Sequence, residues 1–110
     1  MRLVVLLATL TALAAPAAAQ APTGAERAQG YALRGDTTLF VFDPSLYGVA
    51  PERVAVTGAF RGWSADMEDR AWQLTSLSSQ PVWILPVPNA GYAAVGPGSP
   101  FKFRVDDERG

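Results

Sequence analysis

Hydrophobic and polar residues alternate with period two over most of the second half of the chain, the repeat of a strand with one face buried. Thr37 to Asp43 (TTLFVFD) is dense in β-formers, with Leu39 and Val41 on one face and Phe40 and Phe42 on the other. Apolar residues on both faces predict a strand covered on both sides, or one that meets another domain. Arg53 to Gly58 (RVAVTG) alternates cleanly, Val54 and Val56 inward and Arg53, Ala55 and Thr57 outward, which predicts one wet face. Ala71 to Leu77 (AWQLTSL) and Val82 to Val87 (VWILPV) supply two more strand patterns, the latter with Pro86 marking an edge or an early end. Phe101 to Asp106 (FKFRVD) closes the series, with Phe101, Phe103 and Val105 inward and Lys102, Arg104 and Asp106 outward.

Between these patterns lie turn-rich stretches. Tyr47 to Glu52 contains Gly48 and Pro51, Ser64 to Arg70 is an acidic excursion, and Asn89 to Pro100 holds three glycines and two prolines and reads as a mobile loop. Five strand-like segments joined this way, with no helical periodicity among them, predict an all-β, antiparallel β-sandwich over residues 37–110. The final pattern stops just before Gly110, so the expected sandwich is truncated at its C-terminal strand and the chain is expected to be part of a longer one.

Ahead of the sandwich, residues 20–36 show no periodicity and are expected to be a flexible N-terminal segment. The start of the chain has another character. Met1-Arg2 is followed by an apolar run from Leu3 to Leu13, then Pro16 and the small-residue stretch Ala17-Ala18-Ala19. That layout predicts a secretory signal peptide over residues 1–19, cleaved after Ala19, and hence a secreted or periplasmic protein. As a helix the run would rise only about 16 Å, roughly half the thickness of a bilayer core, too short for an anchor.

Charge and composition narrow the chemistry. Without the signal, eight basic and ten acidic side chains leave a net charge near −2, and no basic stripe invites nucleic acid or an anionic membrane. The chain has no histidine and no cysteine. It therefore lacks the commonest general base and the commonest transition-metal ligands, and Ser-His-Asp and Cys-His arrangements are excluded. No cofactor and no metal site is expected. Asp66, Glu68 and Asp69, and the run Asp106-Asp107-Glu108, are not spaced as a glycosidase pair or a calcium loop, and read as solvated loop charge.

Two motifs stand out in order: GAFRGW (Gly58 to Trp63) and FKFRVD (Phe101 to Asp106), with the tryptophan-bearing segment VWILPV between them. Together they resemble the family 48 carbohydrate-binding modules and the related glycogen-binding domain of AMP-activated protein kinase β subunits. Such modules form the N-terminal early-set domain of amylase-class glycoside hydrolases. The likeness covers roughly Thr37 to Asp107. It implies an immunoglobulin-like sandwich of seven or eight strands, non-catalytic, binding α-1,4-glucan and adjoining a catalytic domain. By motif position, Trp63 matches the tryptophan that stacks on a glucose ring and Lys102 the lysine that hydrogen-bonds sugar hydroxyls. The pattern departs at Arg61, where asparagine is usual, and at Asp107, where a turn glycine is common. No second aromatic follows Val105.

Physical chemistry makes such a pair reasonable. A pyranose offers one face of C–H groups, which a rigid indole covers at small entropic loss, and a hydroxyl rim that takes donors such as an ammonium group. Arg61 and Arg104 are further candidates for hydroxyl contact, although solvated surface arginine is the ordinary reading of both. For Trp63 the competing reading is a cap on the sandwich core; Trp72 and Trp83 fall within strand patterns and read as core. The leading expectation is a glycogen-, starch- or maltooligosaccharide-binding module. The alternative is a spacer sandwich packed on a neighbouring glycosidase or esterase domain, without sugar binding.

Overall fold

The structure, a computed structural model, describes residues 21–107. The expected signal peptide, residues 1–19, lies outside them. Among the described residues no helix is long and apolar enough to cross a membrane.

The fold is all-β, with six strands in two antiparallel sheets: β1 (Tyr31–Arg34), β2 (Thr37–Phe42), β3 (Pro51–Gly58), β4 (Thr75–Ser76), β5 (Trp83–Pro88) and β6 (Phe101–Asp107). One sheet runs β1-β2-β5-β4 and the other pairs β3 with β6. The resemblance implied seven or eight strands; the described residues contain six. TTLFVF behaves as its pattern predicts, since five of its six residues are buried. Phe40 and Phe42 join Val54, Val56, Leu74, Val87 and Val95 in the core between the sheets. On the other face of the same strand, Leu39 and Val41 join Ala32, Val82 and Ile84 in a second apolar cluster. Aromatic edges tie the layers together: Phe40 to Phe101 at 5.2 Å and Phe42 to Phe103 at 5.3 Å between ring centroids.

Pro86 is tolerated inside the four-stranded sheet for a local reason. β4 pairs only with Trp83 and Ile84, so beyond that point β5 has one open edge and needs no donor there. The β3–β6 ladder runs Val54↔Val105, Val56↔Phe103 and Gly58↔Phe101 on its inner face, as the alternation requires.

Four expectations need correction. Residues 20–36, expected to be a flexible segment, include a helix and a strand. The helix, α1 (Gly24–Gln29), starts with a reciprocal capping box between Thr23 and Glu26 and stops at Gly30, whose φ of 88° is left-handed. Six residues cannot hold a helix alone; here Arg34 on β1 reaches Glu26 Oε1 at 2.6 Å, and Val41 N–H donates to the Gly30 carbonyl at 2.9 Å. β1 then turns into β2 through Gly35-Asp36, a two-residue hairpin loop with Gly35 at φ 62°. The outward face of β3 is wet only at Arg53: Ala55 and Thr57 are 0% and 1% exposed. The excursion after β3 folds back over it, with Leu74 N–H on the Val54 carbonyl at 2.8 Å and Gln73 bridging to Ala55. Most of AWQLTSL is therefore not in the ladder, because Arg70–Trp72 forms a 3-10 turn capped by Asp69. Lastly, the loop after β5 is organised around one buried side chain. Asn89 donates to Thr38 Oγ1 (3.0 Å) and the Val95 carbonyl (2.9 Å), and accepts from the amides of Ala94 and Val95.

Replacing Asn89 by alanine strands these partners, and a loss of about 3 kcal/mol in urea unfolding is expected; a change within experimental error would show that the loop does not need its anchor. The Glu26 carboxyl is held below its ordinary value of 4.5, first by the hydrogen bond from Arg34 and then by the Thr23 amide. A depressed carboxylate stabilises the fold above the ordinary range and loses this contribution as pH falls through its folded value. Wild type should therefore melt above Glu26→Gln at pH 7, with the gap closing in acid below that range. A gap independent of pH would contradict this.

Candidate functional site

GAFRGW is a tight turn at the end of β3, and each residue has a separate task. Gly58 lies against the incoming end of β6: a Cβ there would stand 2.5 Å from the Pro100 carbonyl oxygen and 2.6 Å from Phe60. No other residue fits that approach. The chain then makes a 3-10 turn over Ala59–Arg61, and Gly62 and Trp63 both adopt left-handed backbone, with φ 60° and 58°. For tryptophan that conformation costs about 1 kcal/mol. The turn is closed by Trp63 N–H on the Gly58 carbonyl at 2.9 Å. Phe60 points inward, 5.7 Å from Phe40 and 5.1 Å from Trp72, while Trp63 points outward and is 45% exposed.

Pairing of β3 with β6 sets Lys102 opposite Thr57, one step from the turn. Its ammonium nitrogen lies 5.7 Å from the centre of the Trp63 ring, a cation–π contact. Of the four candidates read from the sequence, these two are brought together. Arg104 is exposed two residues further along β6, opposite Ala55, and with Lys102, Met67 and Asp106 it borders a shallow cleft.

Arg61 does not belong to this surface, which corrects its reading as a hydroxyl contact. Its side chain is only 5% exposed. The guanidinium donates to the Val56 carbonyl at 2.8 Å and the Asp66 carbonyl at 3.3 Å, lies 3.8 Å from an Asp69 oxygen, and covers Trp72 at 5.7 Å. A long planar donor satisfies loop carbonyls that an asparagine would not reach. Trp72 and Trp83 are half-buried and pack on the core, as their strand patterns suggested.

The acidic excursion is structural as well. Asp69 Oδ1 accepts from Ala71 N–H at 3.1 Å, Asp66 Oδ1 from Glu68 N–H at 2.8 Å, and Glu68 pairs with Arg53. Arg53 also holds Asp106, and these partners, Glu68 first, raise its pKa above the ordinary value. Among the described residues no group of three histidine, cysteine, aspartate or glutamate side chains is placed to hold a metal ion.

Sequence reading passed over a second aromatic cleft of about 280 Å³, bordered by Tyr31, Leu33, Phe40, Tyr92, Val95 and Phe101. Tyr92 is 50% exposed with φ 59°, and it follows a left-handed glycine, Gly91. The local signal was a glycine directly before an aromatic inside a loop, repeated in Gly62-Trp63 and Gly91-Tyr92.

No protein-family model matches the chain, and no curated protein matches it. The functional reading is carried by the residues themselves.

Arg61→Ala should destabilise the fold by about 1–2 kcal/mol, since it leaves the part-buried Val56 carbonyl without this donor and uncovers Trp72. Arg61→Lys should recover little, because an ammonium group does not span both carbonyls. Urea melts decide the point: an Arg61→Ala protein as stable as wild type would return the residue to the list of ligand contacts.

Proposed function

We propose that this chain is a non-catalytic α-glucan-binding module of an exported protein, of the kind attached to amylase-class glycoside hydrolases. Trp63 is the plate for a glucose ring, and Lys102 is the donor to its hydroxyl rim. One observation carries this reading: the two motif residues, distant in sequence, meet at 5.7 Å on an exposed face. The indole is nearly half exposed and held on left-handed backbone. The Trp63 amide closes the turn in that conformation, and strained backbone of this kind gathers at ligand sites. The cation–π contact restricts the indole before any ligand arrives, which lowers the entropy lost on binding. A single plate binds weakly, so retention on a polymer depends on several modules or several rings at once.

The second reading, a spacer packed on a neighbouring domain, is favoured by the burial of Arg61, which removes one of the four candidate contacts into the fold. The two readings part on insoluble starch or glycogen. Wild type should be retained, and Trp63→Ala should lose at least about five-fold, in line with the loss of one stacked aromatic. Lys102→Ala should lose less. Equal retention of wild type and Trp63→Ala removes Trp63 from the function, and no retention of wild type favours the spacer.

A further inference from the structure

Beside the Trp63 plate lie two cations, Lys102 and Arg104, whose positive charge a neutral glucan leaves unmatched. Lys102 and Arg104 occupy alternate positions of β6, on one face and about 7 Å apart along the strand. Both are exposed. The ion pairs of the described residues engage Arg27, Arg34, Arg53 and Arg61, and no carboxylate among them pairs with Lys102 or Arg104. The nearest acid on the same face, Asp106, already accepts from Nε and Nη2 of Arg53. Met67 also borders the cleft and adds no charge. The chain as a whole is slightly acidic, with a formal net charge of −1. Within the roughly 8 Å Debye length of physiological salt, Lys102 and Arg104 set two positive charges against the one carboxylate of Asp106, which Arg53 engages.

From this we propose that the preferred ligand is a saccharide bearing an anionic substituent, a carboxylate or a phosphate, held between Lys102 and Arg104 while a ring covers Trp63. This rests on the reading of Trp63 as the sugar plate. The guanidinium offers a planar fork to either anion, and Lys102 contributes to both the ring and its charge.

The test compares three amyloses of matched length by affinity electrophoresis and calorimetry: unmodified, C6-phosphorylated and C6-oxidised to the uronate. Wild type should bind both anionic forms roughly five- to ten-fold more tightly than the neutral one in 0.05 M salt, with the difference shrinking in 0.5 M salt. Arg104→Ala should bring that ratio towards one, Arg104→Glu below one, and Arg104→Lys should keep most of it. Preference for only one anionic form identifies which group fits and still supports the proposal. Equal affinity of wild type for neutral and anionic chains, or an unchanged ratio in Arg104→Glu, overturns the proposal while leaving the glucan reading intact. Anionic binding that survives Trp63→Ala undiminished overturns both, because the face would then act only as an ion exchanger.

Discussion

The approach of Gly58 to the Pro100 carbonyl is the contact on which the exposed face depends. Because nothing larger than hydrogen fits at Gly58, the end of β3 can lie flat against the start of β6, and their register is fixed at Gly58↔Phe101. That register places Phe101 and Phe103 over Phe40 and Phe42 on the inner side. On the outer side it places Lys102 beside the turn that carries Trp63. A shift of one residue would exchange the two faces, burying a lysine and exposing phenylalanines. Core packing and the candidate site are thus two consequences of one alignment.

Arg61 serves the same turn from beneath. Its donors reach the β3 backbone at Val56 and the excursion at Asp66, tying the two segments together. Buried charge is costly unless its hydrogen bonds are satisfied, and here carbonyls, a carboxylate and an indole face surround it. The acidic residues of the excursion cap its turns and pair with Arg53, so much of the charge near the site is already matched. Among the described residues Lys102 and Arg104 have no carboxylate partner, and Lys102 stands over the exposed tryptophan.

Strand parity was legible because it is local. TTLFVF, RVAVTG and FKFRVD each revealed which side chains share a face, and the core clusters follow those assignments. The start of the chain was less legible. Its capping box was present as Thr23-x-x-Glu26 with Gly30 as the stop, but a six-residue helix carries too short a pattern to register as periodic. AWQLTSL alternated like a strand, yet the backbone bonds of Asp69 and its neighbours drew it into a turn.

By itself the sequence determined an antiparallel all-β fold, the inward and outward sets of each strand, and the two motifs that hold Trp63 and Lys102. Only the tertiary structure decided what each outward set faces. Ala55 and Thr57 are outward by parity and buried in fact, because the excursion folds across them. Arg61 looked like a surface cation and is enclosed by the same excursion, while Lys102 remains open and meets the indole. Period two follows from the chirality and pleat of a single strand, whereas coverage depends on which distant segment returns to lie against it, and no local pattern records that.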